Sequence, residues 1–399
     1  MIQPACRTRP KCWATRISDW KGRADLASQN GEEHGSITPY QLVTILVGAN
    51  IGAGVLALPR LIVEQAGTGG PLATLLGAIP VTLAWLAATK LSRWFPGRSP
   101  VEYAPKVLTR PVGWLYSGAL LVMKILITAL AVREFGAVVR TAVLPSTPVE
   151  VTIILLLLTT AYFVRYDQQV FARVFEIFFP IMLAPLTTIC LLALKNAHAY
   201  YLFPLLGTSG LGLLRGAVLA TTGYVAYMVA LFLLPSLNRP EKAVKAGLVG
   251  IGLSTFVYML AVSATLAVFG LEETKLLVWP TFELIKNTTV PGFILERLEP
   301  AFLGIWVAAV FTTVAATYYA TLLNIAQMFK LRDHKVMAIP LVPILYIIAM
   351  APPDVHTLYQ AGITWGLFGV TMNVGGPVFM TGIARLRRKG ATRSAAPTQ

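Results

Sequence analysis

Charge is scarce in this sequence. Only 13% of its 399 residues are Asp, Glu, Lys or Arg, against about a quarter in a soluble domain, so water is not its main solvent. Cysteine is nearly absent: Cys6, Cys12 and Cys190 form no CxxC, and an odd trio supports neither a disulfide framework nor a thiolate metal site. The four histidines, His34, His198, His334 and His356, stand far apart and read as loop or interface residues. No GxxxxGK[ST] phosphate loop, HExxH zinc motif or GxSxG nucleophile turn occurs, which leaves no cofactor, metal or catalytic constellation to argue from. No apolar h-region follows the basic N-terminal stretch, so no signal peptide is expected. The triplet NTT at Asn287 matches a glycosylation sequon, but a three-residue pattern carries little weight.

What the chain has instead is length of apolar run. Hydrophobic residues make up 56% of it, and its mean hydropathy is +0.67. Runs of about 20 residues, each able to cross a hydrocarbon core about 30 Å thick, recur near 38–66, 71–92, 112–143, 149–165, 170–195, 213–236, 243–269, 298–328, 336–351 and 357–384. An all-α integral membrane protein of about ten transmembrane helices follows, with the membrane domain over 37–386 and polar tails at 1–36 and 387–399.

Basic residues test that count, because they collect in alternate loops when no span is missed or invented. Of the 33 Lys and Arg, 24 fall in the N-terminal tail, the even-numbered loops and the C-terminal tail, among them Arg93, Arg98, Lys106, Arg239, Lys330 and Arg385. Both termini are therefore expected on the cytoplasmic side. The net charge of +15 reads as topology signal and attraction to anionic lipid, not as nucleic-acid binding.

The first run is too long and too interrupted for an ordinary span. Residues 38–66 would make a helix of about 43 Å, and the middle reads GANIGAGVLALPR. Gly48, Gly52 and Gly54 each weaken a helix by up to about 1 kcal/mol relative to Ala, so unwinding is expected near residues 50–54. Lipid cannot satisfy the backbone groups this frees, but a solute in a protein cavity can. The competing account is that Gly48 and Gly52 form a GxxxG packing surface. Arg60 and Glu64 read as an i, i+4 pair toward the outer end.

Run six opens the second half with Thr221, Thr222, Gly223 and Tyr224 as a small polar interruption, at the position equivalent to run one if the chain is two repeats of five. Interrupted first helices in both halves point to a midplane site. Lys124 lies deep in run three, where a cation costs at least about 2.5 kcal/mol and must face protein or water; Glu176 of run five is its candidate partner. Arg133, Glu134 and Arg140 read as interfacial charges. Thr312 and Thr313 either line a cavity or bond across helices.

With these residues in view, the chain resembles the spore germination permease family, the B subunits of nutrient germinant receptors. The likeness rests on ITPYQ and IGAGVLALPR (37–60), RWFPGRSPVEYA (93–104), VREFGAVV (132–139), FLLPSL (232–237), FGLEETKLLVWPTFELIK (269–286), ERLEPAFLGIWVAAVFTT (296–313) and YYATLLNIAQMFKLRDHK (318–335). The resemblance implies membership of the amino acid, polyamine and organocation transporter superfamily, with a five-plus-five inverted repeat and discontinuous helices one and six. It implies assembly with receptor A and C subunits in the spore inner membrane. It also implies an amino acid or similar nutrient bound by Asn50, Ile51, Gly52, Ala53 and Gly54 of helix one, Thr222, Gly223 and Tyr224 of helix six, and Thr312 of helix eight. A secondary amino acid transporter using the same pocket is the alternative function; an enzyme is not expected.

Overall fold

The first helix starts at a reciprocal cap. Thr38 Oγ1 accepts the Gln41 N–H at 3.2 Å, and Gln41 Oε1 accepts the Thr38 N–H at 3.0 Å, which uses two of the donors a helix start leaves unpaired. The computed structural model describes residues 37–142, 144–207, 209–288 and 299–386; the tails expected over 1–36 and 387–399 lie outside the described residues.

Among the described residues the chain is helical with no strand. Helix α1 (Pro39–Asn50) is followed by a 3₁₀ turn, Ala53–Val55, and by α2 (Leu58–Ala66). Then come α3 (Gly70–Trp94), the short α4 (Pro100–Val107), α5 (Arg110–Ala142), α6 (Val149–Phe163) and α7 (Gln168–Ala193). The second half holds α8 (Gly210–Thr222), a 3₁₀ turn at Val225–Tyr227, and α9 (Met228–Leu233). After these come α10 (Ala243–Leu276), α11 (Pro280–Lys286), α12 (Glu299–Met328), α13 (Leu341–Met350), α14 (Val355–Val370) and α15 (Gly376–Leu386), the last two joined by a π turn.

Every expected span coincides with helical structure. Among the described residues, seven stretches are long and apolar enough to cross a membrane. At 15 and 10 residues, α6 and α13 rise only about 22 and 15 Å, so ten crossings stays an expectation. One of the seven, Leu58–Trp94, is not a single rod: Gly67 adopts φ 60°, ψ −138°, a conformation open to glycine, and there the chain leaves α2 and turns into α3. Gly270, at φ 75°, breaks α10 where its apolar run ends.

The faces sort as they do in lipid. Leu75, Ile79 and Leu83 of α3 and Leu155 and Leu158 of α6 are exposed, whereas α9 is buried along its whole length and α1 from Leu42 to Asn50. Without a hydrophobic drive between helices, close packing must hold the bundle. Trp85 of α3 donates its indole N–H to Ala243 O at 3.2 Å and lies flat on Gly247 of α10, where a Cβ would come within 1.8 Å of the ring.

The two interrupted helices run in opposite directions. Ile37, just before α1, accepts the Asn238 N–H at 3.0 Å and donates to Ser236 O at 2.8 Å, so the start of the first is stapled to the end of the second. On the side expected to be cytoplasmic, Lys335 Nζ bonds Asp167 Oδ1 at 2.8 Å; that ammonium holds the Asp167 carboxyl below the ordinary carboxylate range.

Gly247→Ala should cost about 1–3 kcal/mol by overpacking, seen as a lower unfolding midpoint of the detergent-purified protein. Adding Trp85→Leu should recover part of that loss; a double variant weaker than Gly247→Ala alone would show that the ring is not what the new methyl meets.

Candidate functional site

The break in the first helix exposes main-chain carbonyls, and side chains from three other helices collect them. Thr312 and Thr313 of α12 each place Oγ1 3.2 Å from Gly48 O. Tyr258 of α10 donates to Asn50 O at 2.5 Å. Thr281 of α11 donates its hydroxyl to Val55 O at 2.9 Å and its N–H to Leu56 O at 3.4 Å. The donor side is treated differently: neither the turn that starts after Gly52 nor α2, which starts after Ala57, has a side-chain cap, so their first N–H groups lack intrahelical acceptors.

The interruption between α8 and α9 is tighter. Gly223 and Tyr224 donate three residues back, to Ala220 O and Thr221 O at 3.1 Å each, and Gly223 keeps helical angles, φ −62°, ψ −20°. The helix there is overwound into 3₁₀ form, not opened. Tyr258 joins the two breaks, since its hydroxyl also lies 2.9 Å from Gly223 O. One proton thus serves carbonyls from both halves of the chain.

Between the breaks lies a cavity of about 170 Å³, the room of five or six waters at about 30 Å³ each. Asn50, Gly54, Thr222 and Gly223 line it, as does Thr313. A Cβ on Gly54 would meet nothing within 4 Å. The other anticipated residues pack into neighbours. Ile51 is buried. A Cβ on Gly52 would fall 1.8 Å from Thr313 Oγ1, and one on Gly48 2.9 Å from Phe175, so these two glycines serve close packing while the helix is also broken. Tyr224 is buried with its hydroxyl on Thr255 at 2.9 Å, and Thr312 faces Gly48 and Met182. Ala53 lies in the 3₁₀ turn.

Two groups on the cavity wall escaped the sequence reading. Glu134, expected among interfacial charges, lines the cavity with Tyr359 of α14. Tyr359 donates to Glu134 Oε1 at 3.2 Å and accepts the Trp279 indole N–H at 2.7 Å. Tyr359 also lines a second hollow of about 170 Å³, beside Arg60 and Glu64, which pair at 2.7 Å; it therefore borders both spaces. The missed signal was positional: Ile127, Leu130, Ala131 and Glu134 all line the cavity, and their spacing of i, i+3, i+4, i+7 is one helix face.

The expected pairing of Lys124 with Glu176 is not formed. Lys124 is buried with Nζ 3.2 Å from Ala320 O and 3.6 Å above the Phe232 ring. The Asn324 amide oxygen, in the orientation that satisfies both ends of that group, accepts from Nζ at 3.0 Å. Glu176 faces α1 instead and accepts from Gln41 Nε2 at 3.2 Å. Carbonyl, amide and π face meet the cation where it lies, and the carboxylate is on another helix face.

A further hollow, about 1020 Å³, is a groove lined by residues such as Leu155, Val307 and Phe311. Its two threonines, Thr152 and Thr159, bond back to their own helix, so it offers nothing to a polar solute and suits acyl chains. The smaller central cavity carries the polar groups. Among the described residues, no cluster of His, Cys, Asp and Glu could hold a metal.

A bundle of membrane helices whose interrupted members enclose a small cavity is the fold of a solute transporter. That fold is shared with the transporter MhsT, solved in complex with L-phenylalanine, at a TM-score of 0.62 over 89% of this chain and 92% of that one; identity is 13%, a likeness of fold alone. The chain belongs to the spore germination protein family, whose model matches residues 36–357. Spore germination protein YndE of Bacillus subtilis (strain 168) is 28% identical over 89% of this chain and 98% of its own length. Spore germination protein GerLB of Bacillus cereus is 25% identical over 85% of this chain and 91% of its own, and spore germination protein KB of Bacillus subtilis (strain 168) 26% identical over 77% and 83%.

Tyr258→Phe should cost about 1–3 kcal/mol because it strands buried carbonyls in both interrupted helices. Tyr224→Phe should cost less, since Thr255 keeps its own bond to Ile251 O at 2.7 Å; denaturation midpoints in one detergent rank the two. A double-mutant cycle of Lys124→Met with Glu176→Gln should be additive within about 0.5 kcal/mol, and coupling beyond that would restore the rejected pair.

Proposed function

We propose that this chain senses a nutrient germinant, binding a small amino acid between the two interrupted helices and passing the event to receptor A and C subunits in the spore inner membrane, with both termini cytoplasmic. One observation carries the reading. The broken first helix has its freed carbonyls occupied by Thr312, Thr313, Tyr258 and Thr281, while the turn after Gly52 has no side-chain cap and Gly54 within it lines the cavity. An anion, here the ligand carboxylate, is what uncapped helix N-termini attract. Asn50, Ile51, Gly52, Ala53 and Gly54 supply that side; Thr222, Gly223 and Tyr224 form or back the opposite wall, and Thr312 holds the break in shape. The volume suits a small solute.

Binding shifts the balance between conformations by no more than the difference in affinity for them, and in this reading the shift is the signal. The shared fold with MhsT supports the second reading, a secondary transporter using the same pocket alternately from each side.

Gly54→Val fills open space on the cavity wall, so membrane insertion should survive while the amino acid concentration for half-maximal germination rises about tenfold or more, roughly 1.4 kcal/mol. The test uses spores lacking or carrying the chain against a panel of amino acids. An unchanged dose response in correctly inserted Gly54→Val protein would overturn the pocket. Uptake of labelled amino acid by proteoliposomes, with normal germination of the deletion strain, would select the transporter.

A further inference from the structure

The cavity holds a carboxyl group, that of Glu134, which the reading above leaves unused. Glu134 is partly buried on α5 and is the acidic residue on the cavity wall. Its Oε1 takes the Tyr359 hydroxyl; among the described residues the second oxygen has no hydrogen bond and no basic side chain pairs with this carboxyl group. Its neighbour Arg133 points away and donates to Pro352 O at 3.1 Å. A second acceptor, on the broken-helix side of the cavity, is also unmet: Asn50 is 3% exposed, its Nδ2 reaches Ser254 Oγ at 3.4 Å, and its Oδ1 is buried without a donor.

A carboxylate held in a membrane bundle is costly unless a cation or several donors meet it. Here the fold supplies one donor and holds it in place: Trp279 fixes Tyr359, and Tyr359 fixes Glu134. Such a relay leaves one oxygen pointed and unfilled beside space for a solute. Lys124, the buried cation of the same helix, is already engaged by α12 and Phe232.

We propose that Glu134 recognises the ammonium group of the ligand, with Asn50 as the accompanying acceptor, so that the site selects solutes bearing a primary amine. This rests on the cavity being the ligand site. With the carboxylate at the uncapped turn and the ammonium at Glu134, the cavity complements a zwitterion, and an amine-lacking isostere would leave Glu134 uncompensated.

The test uses the full-length protein in lipid nanodiscs, with thermal shift as the binding readout. Probes are L-alanine, L-serine and L-valine, each against its α-hydroxy analogue. Wild type should prefer each amine. Glu134→Gln, which keeps the acceptor for Tyr359 and so the local fold, should weaken the amines about 10- to 100-fold and leave the hydroxy acids within about twofold. Tyr359→Phe, which keeps the carboxylate, should retain the preference for amines. Equal weakening of both series by Glu134→Gln, or no weakening, overturns the role of Glu134 while the cavity stands. Binding of neither series by wild type, or binding indifferent to Gly54→Val, overturns the cavity itself.

Discussion

Main-chain carbonyls in the middle of a membrane need hydrogen-bond donors, and meeting that need at residues 48–56 organises this molecule. A continuous helix would answer it internally. The glycine-rich first helix does not, so α10, α11 and α12 each bring a hydroxyl to it. Three helices distant in sequence are thereby fixed around one interruption. The cavity is what remains once those hydroxyls are in place, and Gly54 keeps it open by having no side chain.

Donors and acceptors at the break are handled in opposite ways. Carbonyls are met by the protein; helix starts are left uncapped. Across the space, the Trp279–Tyr359–Glu134 relay sets an acceptor where the turn sets donors. An uncapped turn on one wall and a carboxyl group on the other give the cavity two unlike polar sides. Tyr359 also borders the hollow beside Arg60 and Glu64, so one side chain is shared by the two spaces.

Much of the fold was legible because lipid simplifies the code. Apolar length marked the helices, and Gly48, Gly52 and Gly54 marked the break in α1. The second interruption was legible in place but not in kind: Thr222 and Gly223 mark a change of hydrogen bonding, while only coordinates show a tightened turn. Spacing alone could not tell Thr312, which packs, from Thr313, which lines the cavity, because adjacent residues on a helix differ by about 100° in direction. Depth in run three marks Lys124 as a cation that must face protein or water, with Glu176 as its candidate partner. The bundle answered with a carbonyl, an amide and the Phe232 ring, a solution that depends on helix rotation and is invisible in a one-dimensional pattern.

The staple between Ile37 and residues 236 and 238 has a mechanical meaning. Two main-chain bonds clamp the start of the first interrupted helix to the end of the second, and a clamp at one end of two levers turns it into their fulcrum. Any displacement of one helix against the other is then smallest at that fulcrum and greatest at the far ends, where α2 and Tyr359 share a hollow.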